Sequence, residues 1–358
     1  MTGAQLVRFC SRLQFVFGLA VACCIWVTGC SGETEPGQIY LQRLAGALDQ
    51  GGFDLPKEES PLPLFPLGDT LFIKRREAKL GVANLLAVHR CELSPLVGAR
   101  NGGLGRVHTP SQRFLYDLKL LAGLATCTSA GEALREIERE RAAELPVAAF
   151  NALFAGEEWH DFATPAVAEL AVEPDPAGLS RTLANLFKVI TLTQADNQIT
   201  AGFEEDLAVL RFSRALGEQR TRWREQSRVL ETATQMLRRA REDNPGCRNG
   251  APTEAGRIRR NVFEIYYAQG FQPQLATQAQ PDRGWLLQLV GLLEVALLEV
   301  GHLPQARRIA EWHAQVLGLQ PAHEFGRWKT ALAAHTKAWQ WQLRACGLLP
   351  VPTSQPLL

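Results

Sequence analysis

Neither sign of charge is in excess in this 358-residue chain, where 38 basic residues stand against 37 acidic ones. Bulk attraction to nucleic acid needs a basic face, so no nucleic-acid partner is expected. The common hydrolase signatures are missing as well: there is no G-x-S-x-G elbow and no H-E-x-x-H. Gly98, Gly103 and Gly105 imitate a phosphate loop in composition, but no Lys-Ser/Thr pair follows and no strand precedes. Nucleotide is therefore not an expected ligand, and no cofactor is implied. His302, His313, His323 and His335 recur near whole helical turns, yet Pro304 and Pro321 interrupt the helix on which they would share a face. No metal centre is expected from them. Trp159-His160-Asp161 sets a base beside a carboxylate, but sequence neighbours do not face each other on a helix. Strand patterning is equally scarce, with Leu71-Phe72-Ile73 the one short run suited to an edge strand or β-hairpin near residues 70–75.

What is present begins at the N-terminus. Arg8 and Arg12, with no acid beside them, precede an apolar stretch from Leu13 to Val27, followed by Thr28 and Gly29. Cations, a short apolar centre and small residues make the three parts of an export signal over residues 1–29. A membrane span needs about 20 apolar residues, and this stretch ends earlier in Cys30-Ser31-Gly32-Glu33. Val27-Thr28-Gly29-Cys30 resembles the lipobox of bacterial lipoproteins, which implies that Cys30 becomes the acylated first residue, palmitate-type chains included. Ser31 follows it, where an aspartate would resemble an inner-membrane retention signal, so the outer membrane facing the periplasm is the expected address. Acyl chains contribute about 0.8 kcal/mol per buried methylene, and stable anchoring needs more than one. Losing Arg8 and Arg12 leaves 36 basic and 37 acidic residues, a formal charge of −1.

Cysteine arithmetic agrees with that reading. Of eight cysteines, Cys10, Cys23 and Cys24 leave with the signal, and Cys30, Cys91, Cys127, Cys247 and Cys346 remain. Acylating Cys30 leaves an even four, suited to two disulfides in an oxidising compartment. Three connectivities are open. Pairing Cys91 with Cys127 and Cys247 with Cys346 is favoured because it keeps each bridge within one half of the chain.

Elsewhere the dominant period is helical, and the expected fold is all-α, a multi-helix orthogonal bundle. Residues 30–37 read as a polar tether and 38–358 as a helical periplasmic body, with a possible subdivision into 38–127 and 128–358. Helices are expected near 39–48 and 77–91, and again from Thr109-Pro110-Ser111-Gln112, where Thr109 caps, Pro110 opens the helix and Gln112 completes a capping box. Further amphipathic segments fall near 129–143, 145–155, 163–173, 178–194, 200–216, 218–242, 254–269, 303–317 and 321–346. In the 218–242 segment, Arg220, Arg222, Arg224, Arg228, Arg238, Arg239 and Arg241 read as a solvated face. Trp285 to Val300, apolar nearly all round, reads as the central buried helix. Trp312, Trp328, Trp339 and Trp341 read as core packing rather than a glycan groove.

The 18 residues from 92 to 109 read as a long connection, and loops of that length are usually functional or tied down. Between Leu93 and Tyr116 there are three arginines, Arg100, Arg106 and Arg113, and no acid, beside a helix N-terminus that itself favours anions. A carboxylate or phosphate fits that setting, and Arg100, Asn101, Arg106, Ser111, Arg113 and Tyr116 are the candidate ligand-binding residues. The order Cys91, Arg100-Asn101, Leu104-Gly105-Arg106-Val107, Pro110-Ser111-Gln112-Arg113, Tyr116 and Cys127, after a lipobox, resembles the proteobacterial lipoproteins grouped as domain of unknown function 3080. The family pattern has a serine after the Arg-Asn pair, where this chain has Gly102. The resemblance implies an anchored, largely helical periplasmic protein, and it transfers no activity.

Two functions of different class follow as expectations. One is a non-enzymatic envelope protein that binds a protein, or an anionic cell-wall or lipid ligand, through the region from Arg100 to Tyr116. The other is an enzyme acting on peptidoglycan or a glycolipid, with Asp117 or Glu157 as acid or base.

Overall fold

The computed structural model describes residues 35–349 apart from 52, 54, 56–60, 77–81, 129–130, 166–174, 194, 244–245 and 280–283. The export signal, Cys30 and most of the helix expected over 163–173 lie outside the described residues. Helix follows helix through the rest. The N-terminal third holds α1 (Pro36–Ala47), α2 (Gly68–Leu71), α3 (Val82–Arg90), α4 (Ser94–Asn101), α5 (Gly103–Arg106) and α6 (Pro110–Thr126). The middle holds α7 (Glu132–Ala143), α8 (Leu145–Phe154), α9 (Glu158–Ala163), α10 (Pro176–Ile190), α11 (Asn197–Thr200), α12 (Phe203–Ser213) and α13 (Ala215–Asp243). After a hairpin of β1 (Cys247–Arg248) and β2 (Ala251–Pro252) come α14 (Glu254–Val262), a π-helical stretch (Phe263–Phe271) and α15 (Gln272–Ala279). The chain then forms α16 (Trp285–Leu297), α17 (Pro304–Leu317) and α18 (Glu324–Ala345). The protein is all-α, and the one sheet among the described residues is the two-stranded antiparallel hairpin.

The parallel pair α13 and α18 is the spine, Arg220, Gln226 and Thr234 of the first meeting Glu324, Trp328 and His335 of the second in turn. At 1.5 Å per residue the 29 residues of α13 reach about 43 Å, long enough to enter two cores. Its first turns carry Leu216 and Trp223 into a cluster with α6, α8, α9, α10, α12, α16 and α17. Its second half carries Leu230, Ala233 and Leu237 into a cluster with α1, the π-helical stretch and the end of α18. Trp328 on α18 serves the first cluster, and Trp339 and Leu343 serve the second. The contacts of Tyr40, Leu41 and Leu44 in that second cluster join the first described helix to the C-terminal third.

Several expectations are corrected. Arg220 belongs to no solvated face: it is fully buried, its Nε and Nη2 donating to the Glu324 carboxylate at 2.8 and 2.7 Å. Its remaining donors bind the Ala163 and Pro63 carbonyls at 2.7 and 2.6 Å. A guanidinium has five donors, and these carbonyl partners at helix and loop ends are what made burial affordable. Arg238, Arg239 and Arg241 are exposed as expected. Nor is α16 a central helix, because Leu287 and Leu298 are 51% and 80% exposed while Leu289, Leu292 and Leu293 are buried. Its outer face is mixed, Leu287 exposed beside Gln288 and Glu294.

No edge strand forms at 70–75. Gly68–Leu71 is helical, and the chain then runs extended from Phe72 without a strand partner. A buried side chain stands in for one. Asn151 of α8 accepts from the Ile73 N–H at 2.9 Å and donates to the Ile73 carbonyl at 2.8 Å. The amide satisfies the two backbone groups that a strand would have satisfied.

Candidate functional site

A third, smaller cluster sits on the outer face of α6. Leu120 and Leu124 of α6 pack there with Val88 of α3, Val97 of α4, and Leu134 and Ile137 of α7, while Phe114, Leu118 and Leu121 face the main core. The Cys91–Cys127 disulfide ties the end of α3 to the end of α6, with a Cα–Cα distance of 5.2 Å. The second bridge, Cys247–Cys346, ties the hairpin to the end of α18. Both pairings are those favoured from the sequence.

Between the bridge and α6 the chain does not form the expected open loop. It folds into α4 and α5, with Pro95 in the first turn of α4 and Val97 buried as its anchor. The glycines of this stretch lowered its helical signal, and one of them is required by packing. A Cβ at Gly105 would come within 2.2 Å of the Arg100 carbonyl oxygen and 2.4 Å of that of Ala99, so α5 can press onto the end of α4 only without a side chain. The Arg100 guanidinium donates to the Gly105 carbonyl across the same contact. At the start of α6 the capping box forms: Thr109 Oγ1 accepts from the Gln112 N–H at 3.3 Å, and Gln112 Oε1 accepts from the Thr109 N–H at 3.2 Å.

These elements enclose a cleft of about 760 Å³, inside the 300–1,000 Å³ range of small-molecule sites. Its cations come from three separate places. Lys74, Arg75 and Arg76 lie on the extended segment that Asn151 holds, Arg100, Arg106 and Arg113 come from α4 to α6, and Arg141 comes from α7. Asp117 is the one acid among the lining residues. It is buried and paired with Arg75 at 2.5 Å. Glu144 lies 3.5 Å from both Arg75 Nε and Arg141 Nη1 and so draws two guanidiniums together. Arg141, 7% exposed, donates from Nη2 to the Arg76 carbonyl at 2.7 Å.

The cations are not fully satisfied. Among the described residues, Arg75 Nη2, Arg113 Nε and Arg141 Nε are shielded from solvent and have no hydrogen-bond partner, and Arg75 Nε has only its 3.5 Å ion-pair contact with Glu144. Each such N–H costs about 1–3 kcal/mol while unmet, and a small shift of these side chains toward the cleft would let the oxygens of an anion accept from them. Tyr116, at the same wall, has its hydroxyl pushed above the ordinary tyrosine value by burial and then by Asp117, while Arg100 and Arg141 draw it back. It stays a proton donor at neutral pH.

The sequence candidates divide accordingly. Arg100, Asn101, Arg106, Arg113 and Tyr116 line the cleft. Ser111 is not among the lining residues; it is buried at the start of α6, its Oγ 2.8 Å from Thr109 Oγ1. Arg100 and Arg113 also bind loop carbonyls, Arg113 reaching that of Arg106 at 3.5 Å. Sequence reasoning missed Lys74, Arg75, Arg76 and Arg141, which lie outside the Cys91–Cys127 motif. The consecutive Lys74-Arg75-Arg76 was the one legible signal.

Other candidates are taken up by structure. His335 is fully buried between Tyr40 Oη at 2.9 Å and Thr234 Oγ1 at 3.2 Å, and burial pushes it down to about 3. No cluster of three or more metal-ligating side chains exists among the described residues. Trp312, Trp328 and Trp339 are core residues, whereas Trp341 is half-buried with the Arg241 guanidinium 4.0 Å from its ring centroid. His160 faces the Phe65 carbonyl at 3.1 Å and Asp161 pairs with Arg211 at 2.9 Å, so the two do not act on each other. No helix among the described residues is long and apolar enough to cross a membrane.

No curated protein and no solved structure matches the chain. Residues 37–350 match the family model described as protein of unknown function (DUF3080), and the chain belongs to that family.

Proposed function

We propose that this protein is a lipid-anchored periplasmic component of the bacterial envelope, held at the outer membrane through Cys30, that captures an anionic ligand in its arginine cleft without chemistry on it. The observation that carries the reading is the concentration of seven cations against one acid among the described residues lining the cleft, with guanidinium N–H groups of Arg75, Arg113 and Arg141 unmet among those residues. The two disulfides support an oxidising compartment. They also use every cysteine after residue 29 except Cys30, the residue assigned to the lipid.

The enzyme reading has less support. Asp117 is committed to Arg75, and Glu157 is exposed on the surface, paired with Arg211 at 2.6 Å. Neither is a free acid or base above a substrate groove.

A ligand that binds only the folded state raises the melting temperature in proportion to RT ln(1 + [L]/Kd). Phosphate at 50 mM is expected to raise it relative to chloride of equal ionic strength, and Arg106→Ala combined with Arg113→Gln is expected to remove the rise. Equal melting temperatures in phosphate and chloride for the unmutated protein would end the proposal.

A further inference from the structure

We infer that the ligand of the arginine cleft is an amphiphile, a phosphomonoester head carrying an aliphatic chain. The inference rests on the anion-binding reading and adds what the cleft selects besides charge.

The lining is mixed in chemistry. Guanidiniums line the cleft together with the edges of the aliphatic cluster of Val88, Val97, Leu120, Leu124, Leu134 and Ile137, each 1–9% exposed. An inorganic anion or a sugar acid leaves this apolar edge uncovered, whereas an alkyl chain lies against it. At about 760 Å³ the space exceeds what a phosphate alone needs. Apolar surface continues at the same place on the exterior. Leu104 and Val107, 83% and 75% exposed, flank Arg106 on the α5 turn.

The head follows from charge and donor count. Seven cations line the cleft against Asp117, and Glu144 adds one more acid behind Arg75 and Arg141. The net excess of five positive charges is larger than one carboxylate neutralises. Arg141 is the buried anchor, 93% removed from solvent with its Nε unpartnered. A doubly charged head with three terminal oxygens accepts from several guanidiniums at once.

Calorimetric titration of the purified protein with inorganic phosphate, hexyl phosphate, octyl phosphate and octanoate, each below its micelle concentration, separates the possibilities. One buried methylene is worth about 0.8 kcal/mol, or about fourfold in affinity. With two more methylenes, octyl phosphate is therefore expected to bind about fifteenfold more tightly than hexyl phosphate, and both more tightly than inorganic phosphate. Arg113→Gln is expected to weaken all three phosphates by at least about tenfold, because charged hydrogen bonds of this kind contribute about 1.5–3 kcal/mol. Equal affinity across the three phosphates would overturn the chain while leaving the anion cleft standing. Octanoate binding as tightly as octyl phosphate would overturn the phosphate head. If none of the four bound, both this inference and the cleft's proposed function would fall.

Discussion

Asn151→Leu removes the side chain that pins Ile73 at the start of the Lys74–Arg76 wall of the cleft, leaving Arg76 held by Glu144 and Arg141. The Ile73 N–H and carbonyl each lose their only cross-chain partner, at 2.9 and 2.8 Å in the unmutated protein. Orphaning a buried backbone group costs about 1–3 kcal/mol, and leucine regains part of this by burying more apolar surface at a site 2% exposed. The net expected loss is about 2–4 kcal/mol, a large share of the about 5–15 kcal/mol that holds a domain together. Much of it falls locally, because the freed segment can leave α8 without unfolding the spine. Trypsin cuts after Lys74, Arg75 and Arg76, so its early cleavage there reads the opening of this segment. At tenfold per 1.4 kcal/mol, cleavage is expected to accelerate by about 30-fold or more, with a lowered urea midpoint. Unchanged cleavage together with a loss of stability below about 0.5 kcal/mol would show that Asn151 does not hold the segment.

Glu324→Gln leaves the Arg220 guanidinium buried without its counter-charge, and the expected loss is about 3 kcal/mol by urea unfolding. A loss below about 1 kcal/mol would mean that the Ala163 and Pro63 carbonyls alone sustain the charge. His335 has a folded-state pKa of about 3, below its unfolded value near 6.5. The unfolded chain therefore binds the extra proton first, and this histidine's contribution is intact above about pH 6.5 and lost as pH falls toward 3. Stability is expected to drop by up to about 1.4 kcal/mol per pH unit in that window, and His335→Gln should flatten this component; an unchanged acid slope would refute it. Replacing Cys247 and Cys346 together with serine opens a bridge of sequence separation 99, with an expected loss of about 4–5 kcal/mol. A midpoint insensitive to this double substitution would contradict the bridge.

Legibility followed the kind of signal. The capping box at Thr109 and Gln112 was readable because local hydrogen bonds between residues three apart need no tertiary context. The two disulfides followed from counting and spacing, and the all-α class from period. Helices α4 and α5 were hidden because the glycines that weaken a helix in isolation are here spent on a backbone contact at Gly105, and tertiary packing outweighed propensity. Leu71-Phe72-Ile73 carried a true extended signal, but its partner is an asparagine 78 residues on from Ile73, which no local pattern reveals. Arg220 was assigned to water with its neighbours because its carboxylate, Glu324, lies 104 residues away. The cleft was half visible for the same reason: three of its seven cations share a motif, while the other four meet them only through the fold.

The most direct test of the anion-binding cleft is a crystal of the protein grown with tungstate, an oxyanion whose position the anomalous signal of the metal reveals. The expected result is a peak inside the cleft, within hydrogen-bonding distance of Arg113 and Arg141. A map with tungstate only at the outer surface, or with none bound at 50 mM, would contradict the account.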